Sequence, residues 1–312
     1  MAAATASPNR KDCATMSPTG RPTILIHAGA GPLSAELVER QEEVREALLD
    51  ALARGRAVLE RGGSPEEAAT ASVRAMEDFP LFNAGRGSVL CADGSVEMSA
   101  ALMRGADRAG GAVAGLKRIA NPVLGAREVM RSEQVLLVGG AAERWLLDRG
   151  LEQRAEEQFI TERQLRRLRE RAQADRGTVG AVCLDGRGRL AAGTSTGGIS
   201  GQPPGRVGDS PLLGAGTWAD GEVAVSCTGD GEAFIRAGVA RHLATLVGCG
   251  RPLEDAARRA LGEVDGLGGA GGLIALRRDG HWTMPFLTAA MPRGIWIAGQ
   301  PARAHVTDLR AA

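Results

Sequence analysis

Gly177-Thr178-Val179-Gly180-Ala181-Val182-Cys183-Leu184-Asp185 opens the second half of the chain, and its reading decides the fold. The apolar run Val179–Leu184 is too short for a helix of ordinary length and is bounded by glycine, which reads as a buried strand. A turn at Asp185-Gly186-Arg187-Gly188 and a second strand over Leu190–Ser195 complete a hairpin. Working outward, Thr23-Ile24-Leu25-Ile26-His27 has the same strand character and runs into the turn Ala28-Gly29-Ala30-Gly31-Pro32. Helical stretches are expected over Ala35–Arg61 and Ser64–Asp78. The second has Ser64 at the cap, Pro65 at the first helical position, and Glu66 and Glu67 in the first turn. Hairpin pieces follow at Gly87–Leu90 and Ser95–Met103. Residues 121–149 read as helical, interrupted by Val135–Val138. Beyond the central hairpin, strands are expected at Val223–Cys227, Gly272–Arg277 and Trp282–Phe286, with helices at Gly231–Leu246 and Leu253–Glu263. Stacked antiparallel sheets with helices outside satisfy this order.

Residues 1–22 are small, polar and proline-containing, and read as a disordered tail. Residues 151–177 are rich in Glu, Arg and Gln with few apolar anchors, which reads as a charged mobile linker or a solvated helix ending at Gly177-Thr178. A net charge of +1 provides no basic footprint for nucleic acid or for a membrane surface. The five cysteines are scattered, without a CxxC pair, so neither a disulfide framework nor a zinc knuckle is expected. The absence of an apolar leader and of any apolar run of spanning length points to a cytoplasmic protein.

Three familiar chemistries fail on the residues. Gly29-Ala30-Gly31 imitates a dinucleotide loop but lacks the third glycine and carries Pro32 where a phosphate-binding N–H is wanted. The four histidines have no ligand spacing, and no GxSxG elbow occurs. What remains is threonine. A strand beginning with Thr178 is commonplace by itself, but three glycine-flanked polar clusters stand at consecutive strand ends. They are Thr194-Ser195-Thr196-Gly197-Gly198, Gly205-Arg206-Val207-Gly208-Asp209-Ser210-Pro211 and Thr228-Gly229-Asp230-Gly231-Glu232, and they can converge on one rim.

From IHAGAGPL, PLFNAGRGSVL, DGSVEMSAALM, RIANPV, GTVGAVCLD, TSTGG, GRVGDSP, SCTGDGEAFIR and GGAGGLIAL, in that order, residues 23–300 resemble the plant-type asparaginase and isoaspartyl peptidase family of N-terminal-nucleophile hydrolases. The resemblance implies an α+β fold, a four-layer αββα sandwich, made as one precursor. Cleavage between Gly177 and Thr178 would yield an α subunit of 23–177 and a β subunit of 178–312 in one structural domain. It implies Thr178 as the nucleophile, Thr196 as the threonine that tunes it, and Asn83 as its neighbour. It implies Arg206 and Asp209 as the grip on a substrate's α-carboxylate and α-amino group. Thr228 and Gly229 would form the oxyanion hole, and Gly231 a further substrate contact. The backbone from Met76 to Arg86 would match a loop that holds a structural sodium in some members; no other cofactor and no side-chain metal site is implied. The implied activity is hydrolysis of L-asparagine and of β-aspartyl dipeptides, by a dimer of αβ heterodimers.

The chemistry asks for these residue types on independent grounds. A threonine hydroxyl needs a base, and an N-terminal threonine carries one in its own amine, with an ordinary pKa of about 7.7–8.0. A zwitterionic substrate is matched by one arginine and one aspartate; the bland alternative for Arg206 and Asp209 is a structural salt bridge. Thr228-Gly229 can serve an oxyanion or be a plain strand-to-helix turn. Ala28, Ser99 and the stretch Pro285-Phe286-Leu287-Thr288-Ala289 depart from the family pattern and bear on substrate preference. The rivals are a glycosylasparaginase-like amidase, which typically has TSTNG at 194–198, a threonine endoprotease of the same fold, and an uncleaved binding protein without turnover.

Overall fold

The hairpin at the head of the second half lies in the middle of the larger of two sheets. This computed structural model describes residues 20–170 and 177–307. In chain order the strands are β1 (Thr23–Ala28), β2 (Met98–Arg104), β3 (Gly110–Leu116), β4 (Leu136–Val138), β5 (Val179–Leu184), β6 (Leu190–Thr196), β7 (Thr217–Ala219), β8 (Val223–Gly229), β9 (Gly271–Arg277), β10 (Trp282–Thr283), β11 (Arg293–Ile297) and β12 (Arg303–His305). The helices are α1 (Ala35–Glu39), α2 (Gln41–Glu60), α3 (Pro65–Glu77), α4 (Pro122–Met130), α5 (Gly139–Leu147), α6 (Glu162–Arg169), α7 (Gly231–Ala237), α8 (Val239–Gly248) and α9 (Leu253–Gly266).

The larger sheet has the order β12-β11-β1-β5-β6-β2-β3-β4, and the smaller β10-β9-β8-β7. Pairing is antiparallel except between β3 and β4. Strands preceding and following Thr178 interleave. β1 lies between β5 and β11, and β6 lies beside β2.

Alternation along each strand feeds separate apolar clusters. Ile24, Ile26, Val179, Ala181 and Cys183 face Val44, Leu48, Leu52, Val73 and Met76 of α2 and α3. The opposite faces, with Leu25, Val182, Leu184 and Ala192, meet Ala224, Ile274 and Leu276 of the smaller sheet. Val223, Val225, Cys227, Leu273 and Ala275 then meet α7–α9 through Phe234, Leu243, Leu261 and Val264.

The Ser64 cap is realised in full, with the Ser64 and Glu67 side chains each bonded to the other's backbone. Several expectations are corrected. The long helix over 231–246 breaks at Gly238, which takes a left-handed φ of 57° between α7 and α8. The helix over 35–61 breaks at Arg40 into α1 and α2. Gly87–Leu90 is no strand: a short 3-10 turn ends at Gly87, and Leu90 makes a single bridge to Val96. The linker does have apolar anchors. Phe159 is buried with Leu90, Val96 and Met98, and Ile160, Leu165 and Leu168 pack around it. Gln164 on α6 donates to the Gly87 carbonyl at 2.7 Å. Glu36 accepts from both Arg163 and Arg167, at 2.8 and 2.6 Å. Residues 151–170 are therefore seated on the fold; residues 171–176 and the tail 1–19 fall outside the described residues.

Candidate active site

The site lies where β5 begins and where β6 and β8 end. Thr178 is buried, and its Oγ1 donates to Thr196 Oγ1 at 3.2 Å. Thr196 Oγ1 lies 3.0 Å from the Gly177 carbonyl oxygen and accepts from Gly198 N at 3.0 Å. The same Gly177 oxygen accepts from Asn83 Nδ2 at 2.7 Å. Asn83 is fixed in turn, since its Oδ1 accepts from Val89 N at 2.9 Å and its Nδ2 also reaches Gly198 O at 2.7 Å. In the uncut chain the peptide before the threonine therefore has its carbonyl facing two donors, with a hydroxyl alongside.

Gly29 closes the other side. Its φ is +102°, and a Cβ there would stand 3.1 Å from Gly177 Cα and 3.5 Å from Thr178 N. Both the conformation and the space call for glycine. Ala28 just before it ends β1 opposite Val179 and needs no unusual backbone. Ser99 pairs in register with Thr196 and is buried.

Arg206 does not pair with Asp209. Its guanidinium is held by Glu232 through two bonds of 2.9 Å, Nε to Oε1 and Nη2 to Oε2, and Nη1 reaches Gln202 Oε1 at 3.3 Å. Gly231 lies beneath it, with the position of an added Cβ only 2.7 Å from Nη2. The alternative of a structural Arg206–Asp209 salt bridge is therefore not what the structure shows. Asp209 is instead buried with Oδ2 unpartnered among the described residues, and burial pushes its carboxyl up to about 7. Thr228 Oγ1 is likewise fully buried and unpartnered among them. Native proteins rarely leave such atoms unsatisfied, because an orphaned buried polar group costs about 1–3 kcal/mol.

A second set of polar residues was not anticipated. His27 lies under Thr178, with Nδ1 3.1 Å from the Thr178 carbonyl oxygen and Nε2 2.9 Å from Ser226 Oγ. Ser226 continues to Thr194 at 2.8 Å, and Thr194 to Thr217 at 2.6 Å. Burial pulls the His27 pKa down to about 3, outweighing its bond to Thr178, so the ring is neutral. Ser195, pointing the other way from β6, donates to Glu77 Oε1 at 2.6 Å, and burial raises the Glu77 carboxyl to about 8.

Among the described residues no three His, Cys, Asp or Glu side chains gather to hold a metal. In the loop after α3, main-chain oxygens approach two glycines closely. Glu77 O lies 2.4 Å from where a Gly85 Cβ would be, and Phe82 O and Pro80 O lie 2.1 and 2.6 Å from that of Gly87. A cavity of about 330 Å³ adjoins Gly177 on the side of Gly29, Arg40, Phe82 and Arg166. Arg206, Asp209 and Thr228 take no part in its lining.

This chain belongs to the asparaginase family, whose sequence pattern it matches over residues 20–306. It is 43% identical over 302 residues to the isoaspartyl peptidase of Escherichia coli K12, covering 90% of this chain and 94% of that protein. It is 39% identical over 298 residues to the human isoaspartyl peptidase/L-asparaginase, covering 91% and 95%. The bovine isoaspartyl peptidase/L-asparaginase is 38% identical over 297 residues, with the same coverage of 91% and 95%.

Proposed function

We propose that the chain is a self-processing threonine amidohydrolase that converts L-asparagine to aspartate and ammonia and cleaves β-aspartyl dipeptides. The observation that carries this reading is the Gly177 carbonyl, held by Asn83 and Thr196 beside the Thr178 hydroxyl. Attack of Thr178 Oγ1 on the Gly177 carbonyl carbon moves the acyl group from nitrogen to oxygen. The two donors stabilise the oxyanion that forms on the way. Water then hydrolyses the ester, releasing an α chain that ends at Gly177 and a β chain that begins with the free amine of Thr178.

In the matured enzyme that amine takes the hydroxyl proton, and Thr178 attacks the substrate's side-chain carbonyl. Thr196 bonds the nucleophile. Thr228 Oγ1 and the Gly229 N–H receive the oxyanion, and the leaving amine departs with the transferred proton. An acyl-enzyme remains for water to hydrolyse. Arg206 binds the α-carboxylate and Asp209 the α-ammonium, with Gly231 keeping the floor of the site open. The orphaned Asp209 and Thr228 atoms support this reading, since a substrate supplies the partners they lack.

The three apolar clusters support the four-layer αββα sandwich. A sodium held by the backbone of Met76 to Arg86 would fix the loop that carries Asn83. Pairing of two αβ units and a cytoplasmic location complete the reading. Buried free thiols at Cys91, Cys183 and Cys227 are compatible with that location. No described helix is long and apolar enough to cross a membrane.

The test is intact mass and a side-by-side assay on asparagine, a β-aspartyl-leucine dipeptide and a glycosylated asparagine. Two chains, the second beginning at Thr178, are expected, with turnover of the first two substrates. Thr178→Ala is expected to stay in one piece and inactive. A single active chain of full mass overturns self-processing, and preference for the glycosylated substrate overturns the substrate assignment.

A further inference from the structure

The hydrogen bonds beneath Thr178 form one continuous path between the two sheets. In the larger sheet His27, Gly180 and Thr194 stand directly abreast on β1, β5 and β6. Ser226 of β8 descends on this row from the smaller sheet and bonds the residues on either side of Gly180, namely His27 and Thr194. Gly180 is the gap that admits it. A Cβ at that position would stand 2.0 Å from Ser226 Oγ and 2.4 Å from His27 Nε2. Thr217, in register with Ser226 on β7, bonds Thr194 and reaches the Ser210 carbonyl at 3.0 Å, next to Asp209. All four side chains are fully buried.

Counting hydrogens fixes the direction of the path. A carbonyl only accepts, so His27 Nδ1 carries the ring proton and donates to Thr178. The ring is neutral, so Nε2 has a lone pair and accepts a hydrogen bond from Ser226 Oγ. Ser226 then accepts from Thr194, and Thr194 from Thr217, whose single proton is shared with Ser210 O. Each hydroxyl donates toward the nucleophile.

We propose that His27 is a positioning residue for the nucleophile, and that Ser226, by holding its tautomer, ties Thr178 to the strand carrying Thr228 and Gly229. The proposal rests on Thr178 being the nucleophile. Once the Gly177–Thr178 bond is cut, Thr178 is a chain end, and its carbonyl is its near anchor to the scaffold. An imidazole that has lost Ser226 has a buried lone pair without a donor. Moving the proton to Nε2 or turning the ring then withdraws the donor from Thr178. The amine and hydroxyl of the chain end lose their aim, while the groups that bind substrate stay in place. His27 does no acid–base chemistry, because it remains neutral throughout.

Two measurements test this. Ser226→Ala is assayed as matured protein, with kinetics normalised to the amount of chain beginning at Thr178. The expected result is kcat reduced roughly 10- to 100-fold with KM within about twofold. An unchanged kcat per matured site overturns the proposal, as does a rise in KM alone. Separately, 15N-labelled histidine is examined at neutral pH in matured protein whose His242, His281 and His305 are replaced by glutamine. The expected spectrum is a neutral ring protonated at Nδ1; protonation at Nε2 or at both nitrogens overturns the proposal even if Ser226→Ala does not fold. An active Thr178→Ala protein would instead remove the reading of the nucleophile, a result distinct from either outcome.

Discussion

Thr228 holds a hydroxyl in the protein interior that no described residue bonds, and this makes its removal informative. Thr228→Val keeps the shape and deletes only the hydroxyl. If that group meets the oxyanion, kcat should fall by about 10²–10³ with KM little changed. The melting temperature should hold or rise slightly, because an unsatisfied polar atom is lost. Steady-state kinetics beside a melting curve decide the matter, and a raised KM at constant kcat would make Thr228 a binding residue. Asp209 sets a pH dependence. Burial, only partly offset by backbone hydrogen bonding and by Arg206, lifts its carboxyl from 3.8 to about 7. A carboxyl raised in this way contributes stability that is fully present below its unfolded pKa and lost as pH rises through its folded one. Its ionised form is the one that attracts an ammonium group, so KM for asparagine should fall between about pH 6 and 8. Asp209→Asn should raise KM and remove this limb. An unchanged limb in the variant would assign the titration to another group.

At the scale of elements, α6 is held by polar contacts as much as by its apolar residues. Glu36 of α1 is shared by Arg163 and Arg167, and Gln164 reaches the turn at Gly87, four residues beyond Asn83. Glu36→Ala takes away the shared carboxylate without opening the core. Cleavage within 151–170 by added protease should speed up several-fold, with the global melting temperature almost unchanged. Equal protection in both proteins would show that Phe159 and its neighbours hold the segment without the ion pairs. This docking was hard to read in the sequence, because Phe159, Leu165 and Leu168 are spread thinly among charges and gain meaning only from the partners they meet. The capped helix α3 and the strands at Thr23 and Val179 were legible because their signals are local: a Ser-Pro-Glu-Glu start and continuous apolar runs. The Gly238 break was missed because one glycine inside a helical pattern does not reveal its φ. β3, made of Gly, Ala, Val and Leu, carries no alternation to recognise, and β7 and β12 have only three residues each. In the site, the glycine-flanked cluster at 194–198 pointed to Thr196, which the structure brings to Thr178. His27, Ser226, Thr194 and Thr217 stayed hidden, since hydroxyl residues on strands have no spacing that announces a contact between sheets. Glu232 as the partner of Arg206 was hidden for a related reason, because the two are 26 positions apart and meet only through the packing of α7.

The whole molecule is shaped by how its strands interleave. β1 comes before the Gly177–Thr178 bond, yet both its neighbours come after it; the β5–β6 pair comes after, yet is flanked by β1 and β2. Cutting the chain at Gly177–Thr178 separates no strand from its ladder, so the products should elute together and unfold in a single transition. The proposed cut would nevertheless change the molecularity of folding. The precursor reaches its native state by a first-order process, in which tethering supplies each strand to the next. The matured protein, once unfolded, has two pieces that must find each other by diffusion, and mass action then governs its stability. Its melting temperature should rise more steeply with protein concentration than that of uncut Thr178→Ala, in which only the pairing of two units adds a concentration dependence. Parallel melts over a hundredfold dilution series measure the difference, and equal slopes would mean that the pieces do not part on unfolding. On the proposed self-processing, the single covalent link present at synthesis is a template used once, and a cut molecule that comes apart has no intramolecular route back.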